Sequence, residues 1–120
     1  MKVKAKVVHG SRRGHEIGFP TVNLRVIGGD LPDYGVYRAF LFYGHEKYPA
    51  VLHYGPRETF NEHEASLEVH ILDFNEEIYG AELEVEFLEK IREVRKFDSI
   101  DDLRDRIMED VEYARKKFTI

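Results

Sequence analysis

VYRAFLFYGHEKYPAVLHY, Val36 to Tyr54, is the stretch that decides the fold class. VYRAFLFY and YPAVLHY are runs of aromatic and β-branched residues, the types that fit a pleated, half-buried surface. Between them stand Gly44, His45, Glu46 and Lys47, which suit a hairpin turn. The flanking sequence repeats the pattern. Lys2 to Val8 alternates with period two, Val3, Ala5 and Val7 on one side and Lys2, Lys4 and Lys6 on the other. SLEVHILDF (Ser66 to Phe74) and LEVEFL (Leu83 to Leu88) follow, with a Tyr79-Gly80 turn between them. Short strands punctuated by Gly, Asp and Pro predict an antiparallel barrel or sandwich. Near the C-terminus the period changes. Ile100, Leu103, Ile107, Val111, Ala114 and Phe118 fall on one helical face. Asp98 or Ser99 can cap that helix, acids fill its first turn, and Arg115, Lys116 and Lys117 fill its last. Both ends then complement the helix dipole. The expected architecture is mainly β, a small barrel with one long helix packed on it.

Composition narrows the function classes. A chain of 120 residues is expected to form one domain over 1–120. It has no Cys, which excludes disulfides and thiolate metal sites and fits a reducing compartment, so a cytoplasmic location is expected. No apolar run approaches the ~20 residues of a membrane span, and MKVKAKVV lacks a signal-peptide core, so no membrane partner is expected. The formal charge of −5 argues against non-specific nucleic-acid binding. That charge is uneven: Lys2, Lys4, Lys6, Arg12, Arg13 and Arg25 face one acid, Glu16, over the first 25 residues. A locally basic end suits a small anionic ligand, although the three lysines read as one solvated strand face. The histidines offer no pair at metal-ligand spacing on an evident helix.

Three segments carry possible chemistry. His9-Gly10-Ser11-Arg12-Arg13-Gly14 is a glycine-punctuated basic loop. Glycines let backbone N–H groups approach an anion, and arginines add charge-assisted hydrogen bonds. It is neither a P-loop nor a dinucleotide-binding fingerprint, and by itself it reads as a plain surface turn. In Gly18-Phe19-Pro20-Thr21-Val22-Asn23-Leu24, Pro20 fixes its own φ and pushes Phe19 toward extended backbone. Thr21 and Asn23 are two apart, so an extended chain turns both to one face. Their oxygens are hard ligands of the kind Mg²⁺ takes, or they simply lead a turn into a strand. In SLEVHILDF, Leu67, Val69 and Ile71 form one face, while Glu68 and His70 share the other with Leu72 and Phe74. A carboxylate beside an imidazole on a partly apolar face is either a general base or a solvent-facing strand edge.

The ordered set of motifs settles more than any one of them. G-x-x-R-G-x-x-x-G-F-P-T-x-N-L from Gly10 is followed by L-P-x-Y-G-V-Y from Leu31 and A-V-x-x-x-G-x-R-x-T-F from Ala50. L-E-V-H-I-L-D-F-x-x-x-I-Y-G from Leu67 and F-L-x-x-I-R-x-x-x-K-F-D-S-I from Phe87 complete it. In this the chain resembles the riboflavin kinase family, including the kinase part of bacterial bifunctional FAD synthetases, from about Val7 to Ala114. The resemblance implies a six-stranded antiparallel barrel of Greek-key type with a C-terminal helix. It implies transfer of the ATP γ-phosphate to the 5′-hydroxyl of riboflavin, giving FMN, with Mg²⁺, while the net charge of −5 gives the expectation of no nucleic-acid partner. It further implies that Pro20, Thr21 and Asn23 serve the metal and phosphates, with Thr21 and Asn23 as metal ligands. Gly10, Arg13, Gly14 and Gly18 would cover the nucleotide, with Tyr79 close to it. Glu68 would be the catalytic base, with His70 beside it as a flavin-binding residue. Arg92 and Phe97 would frame the flavin, although Phe97 can equally pack under the helix start. A free-standing monomer or one half of a fusion are both compatible. The chain departs from the family pattern at His15, at Val94 and in His53-Tyr54-Gly55-Pro56-Arg57-Glu58-Thr59-Phe60, where a proline gives way to Glu58. A non-catalytic flavin- or nucleotide-binding relative is therefore the alternative.

Overall fold

Each of the period-two runs forms a strand, and the strands close on themselves. The structure, a computed structural model, describes residues 1–8, 21–74, 78 and 80–118. Its strands are β1 (Lys2–Val8), β2 (Val22–Gly28), β3 (Gly35–Tyr43), β4 (Glu46–Arg57), β5 (Glu62–Ile71) and β6 (Glu82–Arg92). They form a closed barrel in the order β1-β2-β5-β4-β3-β6, every pair antiparallel. β3, β4 and β5 are consecutive neighbours and β6 returns to lie beside β3, which is a Greek key. Closure gives each strand a neighbour on both sides, with β2 and β5 meeting over the short seam of Val22, Asn23 and Leu24.

Alternation explains which side chains fill the barrel. Val3, Ala5 and Val7 of β1, Leu67, Val69 and Ile71 of β5, and Leu83, Val85 and Phe87 of β6 all join one buried cluster. Leu41, Leu52, Val69 and Val85 are completely enclosed, and each such side chain contributes about 1.5–3 kcal/mol by leaving water. The lysines of β1 point outward, and each pairs in register with an acid of β6: Lys2 with Glu86, Lys4 with Glu84, Lys6 with Glu82. Cross-strand pairs of opposite charge are favourable by a few tenths of a kcal/mol and ask for no ligand. The solvated-face reading of these lysines is therefore the correct one.

The hairpin is tighter than the sequence suggested. The turn is Gly44-His45 alone, and Glu46 and Lys47 already belong to β4, with Glu46 opposite Tyr43. Gly44 has φ +61°, the left-handed conformation that such two-residue turns require. β5 also stops earlier than expected. Ile71 ends the strand, and Asp73 turns the chain with φ +57°. Leu72 still lies on the outer face and is buried there, but Phe74 swings away to stack on Tyr48 at 5.0 Å between ring centroids.

The C-terminal helix α1 spans Ile100–Phe118. Ser99 Oγ accepts the Asp102 backbone N–H at 3.0 Å, so Ser99 is the cap. The helix lies outside the barrel, where Val111 and Ala114 join Val36, Val51 and Leu72 in a second, smaller buried cluster. Among the described residues no helix is long and apolar enough to cross a membrane.

Candidate functional site

A cleft lies on the outer face of the barrel between α1 and strands β4 and β5, and there several of the special residues meet. In antiparallel pairing, directly opposed residues turn to the same side of the sheet. Asn23 of β2 is paired with Glu68 of β5, and Glu68 in turn with His53 of β4. Leu67 and Val69 are inside the barrel, so Asn23, Glu68 and His53 form one row across its outside. Beside it, His70 is opposite Val51. Glu68 and His53 of this row, with Thr21 and His70, floor a cleft of about 740 Å³, its open mouth included. The end of β6 with Arg92, the segment carrying Arg95 and Phe97, and Leu103, Ile107 and Asp110 of α1 make the opposite wall.

Glu68 is an unusual outward-facing strand residue, since it is only 6% exposed. A carboxylate buried that far needs partners. Thr21 Oγ1 donates a hydrogen bond to Glu68 Oε1. Arg57 NH1 lies 2.8 Å from Glu68 Oε2. Thr21, at the mouth of β2, thus keeps its hydroxyl proton on Glu68 and leaves oxygen lone pairs for another partner.

His53 supplies the neutral part of the floor. Burial, reinforced by the nearby Arg57 and Arg92 charges, lowers its imidazole to about 4. The ring is therefore uncharged at neutral pH. Its Nδ1 has no hydrogen-bond partner among the described residues.

The far wall is held by a second buried ion pair. Arg92 Nε lies 3.1 and 3.0 Å from the two Asp110 carboxylate oxygens, and its NH2 lies 2.8 Å from Oδ2. Burial pushes the Asp110 carboxyl up, against the pull of Arg92 and Arg106. Arg92 NH1 also donates to the Glu93 carbonyl at 3.2 Å. Phe97 is 7% exposed and lines the cleft, with the Arg92 and Arg95 guanidinium carbons 5.5 and 4.6 Å from its ring centroid. The Phe97 backbone N–H donates to Thr59 Oγ1 at 2.9 Å, which ties this segment to the short 3-10 turn Glu58–Phe60. Gly55 brings β4 against the same segment. It has φ +143°, and a Cβ there would lie 3.2 Å from Val94 Cγ1.

Of the residues singled out by sequence, the structure brings Thr21, Glu68, His70, Arg92 and Phe97 to one cleft and places Asn23 in register with Glu68. Gly10, Arg13, Gly14, Gly18, Pro20 and Tyr79, together with His15, lie outside the described residues. Sequence reasoning passed over His53, Arg57, Thr59 and Asp110 as site residues. Arg57 and Thr59 stood inside a quoted motif without a role. Asp110 carried a signal, since Leu103, Ile107, Asp110 and Ala114 are spaced along one helical face and a carboxylate there must find a cation.

The fold and site are those of a closed antiparallel β-barrel with an outer cleft floored by a buried, partnered carboxylate. The chain belongs to the riboflavin kinase family, whose model, described as flavokinase (riboflavin kinase), matches residues 1–118. A bifunctional riboflavin kinase/FMN adenylyltransferase of Haemophilus influenzae is 42% identical over 118 residues, 98% of this chain and 38% of that protein. The chain thus spans well under half the length of that relative. A crystal structure described as a macrolide-efflux protein of Streptococcus pneumoniae superposes with TM-score 0.85 at 41% identity, over 95% of this chain and 38% of that one. Riboflavin kinase from Trypanosoma brucei superposes with TM-score 0.59 at 29% identity, over 97% of this chain and 78% of that one.

Proposed function

We propose that this protein is a riboflavin kinase, transferring the γ-phosphate of ATP to the 5′-hydroxyl of riboflavin to give FMN and ADP. The observation that carries this reading is Glu68, buried at the floor of the cleft, bonded to Thr21 and aligned with Asn23. Family membership supports the substrate classes.

In this reading Glu68 accepts the proton of the ribityl hydroxyl as its oxygen attacks the γ-phosphorus in line. General-base catalysis of this kind is worth roughly 10²–10⁴ in rate. The cleft wall formed by Arg92, Arg95 and Phe97 is the flavin side, with His70 at the edge of the floor. The segment with Gly10, Arg13, Gly14, Gly18 and Pro20, and Tyr79, serve the nucleotide.

The donor chemistry fits Mg²⁺. The Thr21 hydroxyl and the Asn23 amide are neutral oxygen ligands on adjacent alternate positions, and Mg²⁺ typically takes few protein ligands and fills its shell with phosphate oxygens and water. When bound, Mg²⁺ supplies neutralisation of charge on the transferring phosphates. The hydrogen bond from Thr21 to Glu68 is compatible with this, because the hydroxyl donates its proton to one partner and lone pairs to the other.

The test is to incubate the protein with riboflavin, Mg²⁺ and ATP, with CTP in parallel, and to look for FMN by chromatography. FMN formation is expected. Flavin binding without any FMN would mark the chain as a non-catalytic flavin-binding relative instead.

A further inference from the structure

Arg57 stands where two needs of the reaction conflict. A carboxylate gives up basicity for as long as a cation stays beside it. Yet Glu68 and Arg57 are 2.8 Å apart, and their side chains are only 6% and 9% exposed. A pair this enclosed cannot simply separate, since an unpaired charge left in such a place is costly.

The backbone delivers Arg57 to this place by a local irregularity. Pro56 is opposite Ala65 on β5, but Arg57 is opposite Glu62, so the ladder slips between them. A slip of this kind bends the strand and re-aims the next side chain. The guanidinium carbon lies 5.1 Å from the Phe60 ring centroid, which braces it on an aromatic face. A cation–π contact of this kind is an electrostatic attraction to the ring face. The other two arginines of the cleft wall are differently engaged. Arg92 is held by Asp110 and Glu93, and Arg95 lies over Phe97.

We infer that Arg57 is a catalytic residue that exchanges Glu68 for the arriving phosphoryl group. This rests on the kinase reading above. Before transfer the pair is Arg57 cation and Glu68 carboxylate. During transfer the hydroxyl proton goes to Glu68, the bond between the flavin oxygen and the γ-phosphorus forms, and the bond from that phosphorus to the leaving ADP oxygen breaks. Glu68 becomes neutral as the phosphoryl oxygens reach the position beside it. Arg57 then turns from the carboxyl to those oxygens, so the buried cation keeps an anionic partner throughout. Arginine suits the exchange because its planar fork matches carboxylate and phosphate alike.

The experiment compares riboflavin and FMN, which differ only by the phosphate, in fluorescence titrations without nucleotide or Mg²⁺. The unaltered protein, Arg57→Gln and Arg57→Lys are each titrated. Arg57→Gln is expected to lose FMN affinity by about 10–100-fold, as for a charge-assisted hydrogen bond, while riboflavin affinity stays within about twofold. Arg57→Lys, which keeps the charge without the fork, is expected to fall between the two in its ratio of FMN to riboflavin affinity. In turnover, kcat falls by about 10² or more in Arg57→Gln with little change in the riboflavin KM. An unchanged ratio of FMN to riboflavin affinity in both variants overturns the inference, including the case where both affinities drop together. That result, obtained with unaltered protein that does make FMN, leaves the kinase reading standing. Absence of FMN formation by the unaltered protein removes the kinase reading itself, and this inference with it.

Discussion

Asp110 of α1 and Arg92 of β6 form a buried ion pair, with contacts of 2.8–3.1 Å and the aspartate only 2% exposed. The pair fastens the helix to the strand end that carries the cleft wall. Asp110→Asn removes the negative partner and leaves the Arg92 charge enclosed. Breaking a buried pair in this way costs about 3–5 kcal/mol, so the urea midpoint of the variant should drop sharply. The double replacement Arg92→Met with Asp110→Leu should recover most of that loss, because an apolar pair has no charge to desolvate.

His53 makes stability depend on pH. Its folded value of about 4 lies below the ordinary 6.5, first because of burial and then because of Arg57 and Arg92. Between those two values the unfolded chain holds a proton that the folded chain does not. Stability therefore falls as pH drops from 6.5 toward 4, and it levels off below. Unfolding free energies at pH 7 and pH 4.5 should differ by about 2–3 kcal/mol more in the unaltered protein than in His53→Gln. Equal pH dependence in the two proteins would count against a buried neutral imidazole.

Glu68→Gln tests the assigned base. The amide keeps the shape of the side chain but cannot take the proton. Turnover should fall by about 10²–10⁴, while FMN and ADP still bind. Calorimetric titration with each product, beside the rate assay, separates these effects, and full activity in the variant would sink the assignment.

Thr59→Val tests how the flavin-side segment is held. The Phe97 N–H would lose its acceptor at 2.9 Å, a loss of roughly 1–3 kcal/mol for a buried donor. The expected result is a raised riboflavin KM with a smaller change in kcat. Amide exchange at Phe97 should quicken, and an unchanged exchange rate there would show that the bond is not what holds the loop.

Much of the fold was legible because it follows from local periodicity. Val3, Ala5 and Val7, or Leu67, Val69 and Ile71, announce a buried strand face without reference to the rest of the chain. Ser99 and the charged ends of α1 announce the helix limits in the same way. Errors fell at strand ends. Phe74 kept the alternation of β5 in sequence, yet the left-handed Asp73 takes it off that face. The site was legible only in part. Glu68, Thr21 and Asn23 stood out as chemical types at fixed spacing. Arg57 and His53 did not, because what surrounds them comes from segments distant in sequence, and Asp110 offered only its place on the apolar helix face beside Arg106. Arg57 pairs with Glu68 and Asp110 with Arg92, while His53 is kept neutral by burial and by the nearby charges of Arg57 and Arg92.

The sequence by itself determined the mainly β architecture, the capped C-terminal helix, the solvated lysine face of β1 and, through five motifs in order, the family resemblance. These are properties of spacing and residue type along one chain direction. Only the tertiary structure decided that Glu68 is buried although it faces outward, that Thr21 and Arg57 both hold it, and that α1 closes a cleft over it. The physical reason is that burial and charge pairing depend on register between strands distant in sequence. Asn23, Glu68 and His53 share a row because β2, β5 and β4 pair as they do, and a shift of one residue in either ladder would turn that row inside out.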